Sequence, residues 1–246
     1  MKTYVILGAT SDVGEQFAYE VARSEKENCQ LLLTARSPER LAPLKSDLEI
    51  TTGASVETLA VDAMDIQSAT KYLGPWAEKA DWVALFLGYL GDQEEAQNSG
   101  EEASRIMQVN YNGAVQLLDI FARSFATKKQ GTIVGVASVA GLRGRQSNYY
   151  YGSAKAGFIA YLSGLRNRLY HQNVHVLTVL PGFMDTKMTA DLDLPGPLTA
   201  QPDQAARHIF RSAKKKKNQV YVLPIWRWIM LIITTIPEGI FKRLSL

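Results

Sequence analysis

Along this 246-residue chain, six short runs are almost continuously apolar, and between them apolar residues recur at helical spacing. "TYVILGA" ends at Gly8 and is followed by a polar turn and a helical pattern from Val13 to about Ser24. "QLLLTAR" (30–36), "SVETLAVD" (55–62), "DWVALFLG" (81–88), "GTIVGVAS" (131–138) and "VHVLTVLPG" (174–182) repeat the strand pattern. A strand that is apolar at successive positions buries both faces, which is the situation of a parallel sheet covered by helices on either side. The pattern predicts an α/β protein, a single-domain doubly wound parallel sheet spanning 1–223. A C-terminal helical extension, 224–246, is expected to follow. No internal repeat or low-complexity linker interrupts the chain.

Composition changes this picture little: 46% apolar and 21% charged residues describe an ordinary folded domain. The lone Cys29 has no partner for an internal disulfide, and no Cys/His cluster suggests a metal. The apolar start is too short for a secretory signal, so a cytoplasmic body is expected. Charge is more informative. From Arg207 onward there are nine Lys/Arg and one acid (Glu238), against 18 basic and 23 acidic residues in the remainder. This end of the chain is either a solvated lysine turn ("KKKK", 214–217) or a surface that meets something anionic. No nucleic acid is expected.

"GATSDVG" closes the first predicted strand with Gly8 and puts Gly14 in the first helical turn. Such a turn aims backbone N–H groups and the helix dipole at a pyrophosphate, the Rossmann arrangement. Gly8, Thr10, Ser11, Asp12, Val13 and Gly14 are therefore candidate dinucleotide contacts. Asp12 stands where a middle glycine is usual, and is expected either to cap the helix or to repel phosphate unless it points away. The second strand ends Thr34-Ala35-Arg36-Ser37 without the acid that would take a ribose 2′-hydroxyl. Arg36 instead offers a charged fork to a 2′-phosphate, which favours NADP(H) over NAD(H); the alternative is a surface arginine. Asp62 is placed to accept from the adenine amino group or to cap a turn.

"SNYYYGSAK" (147–155) sets three tyrosines before a lysine, and only Tyr151 is four residues from Lys155, on the same helix face. Reducing a carbonyl requires a proton donor for the developing alkoxide, and a phenol exchanges its proton readily at neutral pH only near positive charge. Lys155 is expected to supply that charge, and Ser138, thirteen residues before Tyr151, to hold the carbonyl oxygen. Tyr149 and Tyr150 are expected to pack or to line a substrate wall.

Together these residues resemble the short-chain dehydrogenase/reductase family of the classical type over nearly the whole chain. The family's Tyr-x-x-x-Lys element matches Tyr151 and Lys155, and its upstream serine matches Ser138. Asn110 in "VNYNGAV" matches the helix asparagine of its proton relay. Pro181, Gly182 and Thr186 match the turn at the nicotinamide. The resemblance also implies that Lys155 binds the nicotinamide ribose, that 183–202 forms a substrate lid, and that the protein is a homo-dimer or homo-tetramer. One element departs: Gly88-Tyr89-Leu90-Gly91 stands in place of Asn-Asn-Ala-Gly, with Gly88 still at the cofactor. "ILGATSDVG", "GYLGDQEE", "YYYGSAKAG" and the C-terminal segment resemble a narrower subgroup, the keto-reductase component of the decaprenylphosphoryl-ribose 2′-epimerase system. That implies a polyprenyl-phosphoryl keto-sugar as substrate.

"VLPIWRWIMLIITTIP" (222–237) is too short between Pro224 and Pro237 for a membrane span, and Arg227 interrupts it. It is expected either to lie on an anionic membrane surface, with basic residues of 214–246 on both sides, or to pack through Trp228, Leu231 and Ile232 on the body or on a partner subunit. Two other functions fit the same residues. One is a 3-oxoacyl-carrier-protein type reductase whose basic end meets an acidic carrier; the other is a non-catalytic NADP(H)-binding sensor or scaffold.

Overall fold

A computed structural model describes residues 1–190 and 193–244. Residues 191–192 of the expected lid and 245–246 of the expected extension lie outside the described residues. Strands β1 (Lys2–Leu7), β2 (Cys29–Ala35), β3 (Ser55–Ala60), β4 (Trp82–Leu85), β5 (Gly131–Val136) and β6 (Val174–Leu180) occupy the six apolar runs. A short pair follows, β7 (Phe183–Met184) and β8 (Thr199–Ala200), and then β9 (Gln219–Tyr221). The main sheet is wholly parallel, in the order β3-β2-β1-β4-β5-β6-β9.

Alternation explains why the strand runs are apolar throughout. Tyr4 and Ile6 of β1 enter the core on one face of the sheet, while Val5 and Leu7 enter the core on the other. Leu31 and Leu33 of β2 follow the first pair and Leu32 the second. Helices α1 (Asp12–Glu25), α2 (Ala42–Thr52) and α8 (Pro202–Lys214) cover the first face. Helices α3 (Ile66–Lys79), α6 (Gly113–Lys128) and α7 (Tyr149–Leu169) cover the second. The small helices α4 (Gln93–Asn98) and α5 (Gly100–Met107) lie between β4 and α6, and a wide π turn, Gln108–Asn112, joins α5 to α6.

Three readings of the sequence are corrected. The fourth strand stops at Leu85 rather than at Gly88, because the carbonyl of Leu87 and both backbone groups of Tyr89 bond to side chains instead of a strand. Strand β9 escaped notice because three residues carry too little alternation to register. The lysine turn 214–217 precedes this parallel strand, so it lies at the amino end of the sheet. Lys214 there pairs with Glu25 at the end of α1 (2.7 Å). It therefore cannot flank one interfacial segment together with Lys242 and Arg243, which follow β9 on the carboxyl side.

The last helices, α9 (Ile225–Thr235) and α10 (Glu238–Phe241), return over the carboxyl edge. Trp226 and Met230 are buried in the core of the second face, whereas Trp228, Leu231 and Ile232 are exposed. These three therefore do not pack on the body of the same chain, since burial follows the i, i+4 pair that faces the sheet.

The α1–α8 contact closes over Phe17, whose ring lies 5.1 Å from Phe86 and 5.9 Å from Phe210 between centroids. Phe17→Ala is expected to lower unfolding free energy by about 3–5 kcal/mol, read as a fall in the denaturant midpoint at constant slope.

Candidate active site

The strand order reverses between β1 and β4, and in open parallel sheets ligands bind beyond the carboxyl ends at that point. A cavity of about 1290 Å³ occupies it here. Thr10, Ser11, Asp12 and Val13 line one end with Gly8, whose left-handed φ of 83° is one that a side chain would strain. Gly14 lies beneath, where a side chain would meet the Ser11 hydroxyl and the Gly8 carbonyl. Ser11, not Asp12, caps α1: its Oγ accepts from the Gly14 N–H at 3.0 Å. Asp12 turns outward, accepting the Lys187 backbone N–H at 2.8 Å and pairing with Lys187 Nζ at 2.9 Å.

Arg36 lines the same end, joined by Arg40 from the turn after β2, which the sequence reading missed. Among the described residues neither guanidinium is paired with a carboxylate. Asp62 also lines the cavity, and its Oδ1 caps the following turn by accepting the Met64 N–H at 2.9 Å.

At the cavity's centre, α7 presents Tyr151 and Lys155 one turn apart, facing Ser138 at the end of β5. Lys155 is 2% exposed; its Nζ donates to the carbonyls of Val136 (3.2 Å) and Leu87 (3.4 Å) and lies 5.7 Å from the Tyr151 ring centroid. Burial without a counter-charge draws its pKa down to about 8. Burial likewise pushes the Tyr151 phenol up to about 12, only partly offset by a hydrogen bond with Ser138.

Comparison with known proteins agrees with this geometry. The sequence pattern describing short chain dehydrogenases matches residues 2–195. An uncharacterized oxidoreductase of Mycobacterium tuberculosis is 30% identical over 243 residues, 98% of this chain and 96% of the relative. The chain belongs to the short-chain dehydrogenase family. Another uncharacterized oxidoreductase, from Streptomyces coelicolor, is 32% identical over 246 residues, covering 99% of this chain and 96% of that one. A short-chain dehydrogenase from Sphingobium yanoikuyae, solved in complex with NADPH, superimposes with a TM-score of 0.84 at 23% identity over 97% of this chain and 98% of its own. The oxidoreductase class follows from the family.

This short-chain dehydrogenase holds its divergent loop in its own way. Asn110 is fully buried; its side chain accepts from the Tyr89 N–H (3.1 Å) and donates to the carbonyls of Tyr89 (2.6 Å) and Ile106 (2.9 Å). The buried Glu102 accepts from the Tyr89 hydroxyl (2.8 Å) and the Asp92 N–H (3.1 Å). These bonds anchor the loop after β4 to α5 and the π turn. Gly88 stays open to the cavity and faces the methyl end of Met188.

Pro181, Gly182 and Thr186 line the opposite wall. A side chain at Gly182 would run into the Trp226 indole, whose N–H donates to the Leu198 carbonyl at 3.0 Å. Sequence reasoning missed Trp226, Arg145, Asn148 and Arg105 as lining residues, since no family motif marks them. Tyr150 is a wall residue and Tyr149 is exposed.

The Asp12–Lys187 tie joins the turn after β1 to the segment after β7 across 175 residues of sequence. Asp12→Ser is expected to raise the rate of tryptic cleavage after Lys187 several-fold while leaving the melting temperature within about 2 °C, as suits the loss of a partly exposed pair of about 1 kcal/mol.

Proposed function

We propose that the protein is an NADP(H)-dependent carbonyl reductase. The observation that carries this reading is one cavity with Ser138, Tyr151 and Lys155 at its centre and two guanidinium groups without carboxylate partners at one end. The residues present fit the cofactor. Gly8 and the Ser11-capped start of α1 leave backbone room for a pyrophosphate, Arg36 and Arg40 suit a 2′-phosphate, and Pro181, Gly182 and Thr186 border the nicotinamide end. The Sphingobium neighbour's complex with NADPH supports the same choice.

Bound NADPH would supply the hydride. The chain's residues do the rest. Ser138 donates to the substrate carbonyl oxygen and holds it near the Tyr151 phenol. As the carbonyl carbon gains hydride, the oxygen takes the Tyr151 proton, and the C=O bond becomes C–OH. The Lys155 ammonium stabilises the resulting phenolate and returns a proton to it. Asn110 fixes the backbone around this lysine, and its place in the π turn suits a water-mediated relay.

A finer reading concerns substrate delivery. Ile225, Trp228, Leu231, Ile232, Ile240 and Leu244 are exposed on α9 and the segment after it, with Arg227, Lys242 and Arg243 among them, while Trp226 of the same helix lines the cavity. An apolar surface with interspersed cations supports peripheral contact with an anionic membrane and a lipid-linked carbonyl such as a polyprenyl-phosphoryl keto-sugar. No described helix is long and apolar enough to cross a membrane. A cytoplasmic protein assembled as a homo-oligomer accompanies this reading.

Tyr151→Phe is expected to cut kcat/KM for ketone reduction at least ~10²-fold while NADPH binding, followed by cofactor fluorescence, persists. Persistent turnover in this variant would remove Tyr151 from the proton transfer. In the wild type, kcat/KM for reduction should be flat below about pH 8 and fall above it as Lys155 loses its proton, because the phenol stays protonated up to about 12. A profile level through pH 10 would contradict the lysine's role. Arg36→Asp should shift preference from NADPH toward NADH, and an unchanged ratio of the two dissociation constants would exclude Arg36 from the 2′-phosphate site.

A further inference from the structure

Arg145 lies on the segment between Ser138 and α7, six residues before Tyr151, and lines the same cavity. Its guanidinium is half-buried beneath α9, and its one side-chain hydrogen bond among the described residues runs from Nη2 to the Met230 sulfur at 3.3 Å. Nε is shielded from solvent and has no partner. A thioether is a weak acceptor, so this cation meets little that offsets its loss of water. Its pKa is accordingly drawn down by burial, with no carboxylate to raise it.

Among the described residues no carboxylate lies within ion-pair distance of it. Arg143, two residues earlier, has its own acid, Glu238, at 2.6 Å, and stacks on Phe241. The buried carboxylate of Glu102 is taken by Tyr89 and Asp92. Asn148, also on the cavity wall, has a buried side-chain oxygen without a donor, and Gln93, which accepts the Tyr150 N–H, has a buried amide nitrogen without an acceptor. Of these groups only the Arg145 guanidinium is a donor on the cavity wall; the Asn148 oxygen calls for a donor, and Gln93 does not line the cavity. Buried polar groups are ordinarily satisfied, and an exception in a cleft points to a ligand that completes it.

We propose that Arg145 receives an oxyanion carried by the carbonyl substrate, a phosphate ester or a carboxylate. This deepens the reductase reading and rests on it: the ketone is held at Ser138 and Tyr151, and its anionic group reaches back under α9 to the guanidinium. Arg145 then sets specificity. A neutral ketone of the same size leaves the guanidinium unsatisfied, whereas an anionic one forms charge-assisted bonds in a shielded place.

The test compares matched substrates on the NADPH-loaded enzyme at constant ionic strength. One pair is dihydroxyacetone phosphate against dihydroxyacetone; the other is benzoylformate against its ethyl ester. In at least one pair the anionic member should be preferred, and the pair that responds identifies phosphate or carboxylate. Arg145→Gln should lower that preference about 10- to 100-fold, mainly through KM, and Arg145→Lys should restore part of it. Equal losses on both members of each pair would make Arg145 a structural residue and overturn the assignment. If neither pair is reduced, the same two anions are titrated against enzyme-bound NADPH by fluorescence. Saturable binding that Arg145→Gln abolishes sustains the oxyanion site and removes the reductase reading. Binding of neither anion, or binding indifferent to the substitution, overturns the site itself.

Discussion

Everything in the cavity is arranged around a buried ammonium that has carbonyl oxygens and no carboxylate for company. Lys155 reaches the Val136 carbonyl at the end of β5 and the Leu87 carbonyl just beyond β4, so its position depends on two strand ends being held still. The β5 side is held by the sheet, where the Ala137 N–H bonds to the Val179 carbonyl and the Val139 N–H to the Pro181 carbonyl. The β4 side has left the sheet and is held by Asn110 and Glu102 instead. A buried cation without such fixed dipoles would shed its proton or pull water in. The same burial draws its pKa down to about 8.

Charge in and around the cavity is distributed unevenly: Asp12 and Glu102 are occupied, while three guanidinium groups are left without carboxylates. Asp12, the carboxylate nearest the phosphate turn, is tied to Lys187. Glu102 is consumed by hydrogen bonds to the loop after β4. Arg36 and Arg40 at one end and Arg145 near the other have no carboxylate partner among the described residues. A site of this sign favours ligands that bring negative charge of their own, as a phosphorylated cofactor does.

The α9 segment ties chemistry to surface. Trp226 closes the wall over Gly182, where the missing side chain makes room for the indole, and Met230 covers Arg145. The opposite side of the same helix is exposed and apolar. The helix that carries that surface also lines the cavity through Trp226.

Much of this was legible in residue order. Six of the seven main-sheet strands could be read because parallel strands buried on both faces are apolar throughout, and the pairing of Tyr151 with Lys155 because helical spacing admits no other tyrosine. The glycine turn and the absence of an acid after β2 are equally local facts. What only the tertiary structure decided concerns partners distant in sequence. Asp12 finds Lys187, Asn110 finds Tyr89, and Trp226 rather than Trp228 turns inward. The lysine turn falls at the far end of the sheet from α9 because a three-residue strand too short to recognise runs between them. Arg145 reads as one more surface arginine until α9 is folded over it. Local periodicity specifies which residues face inward, but which charges are neutralised depends on what the rest of the chain brings alongside.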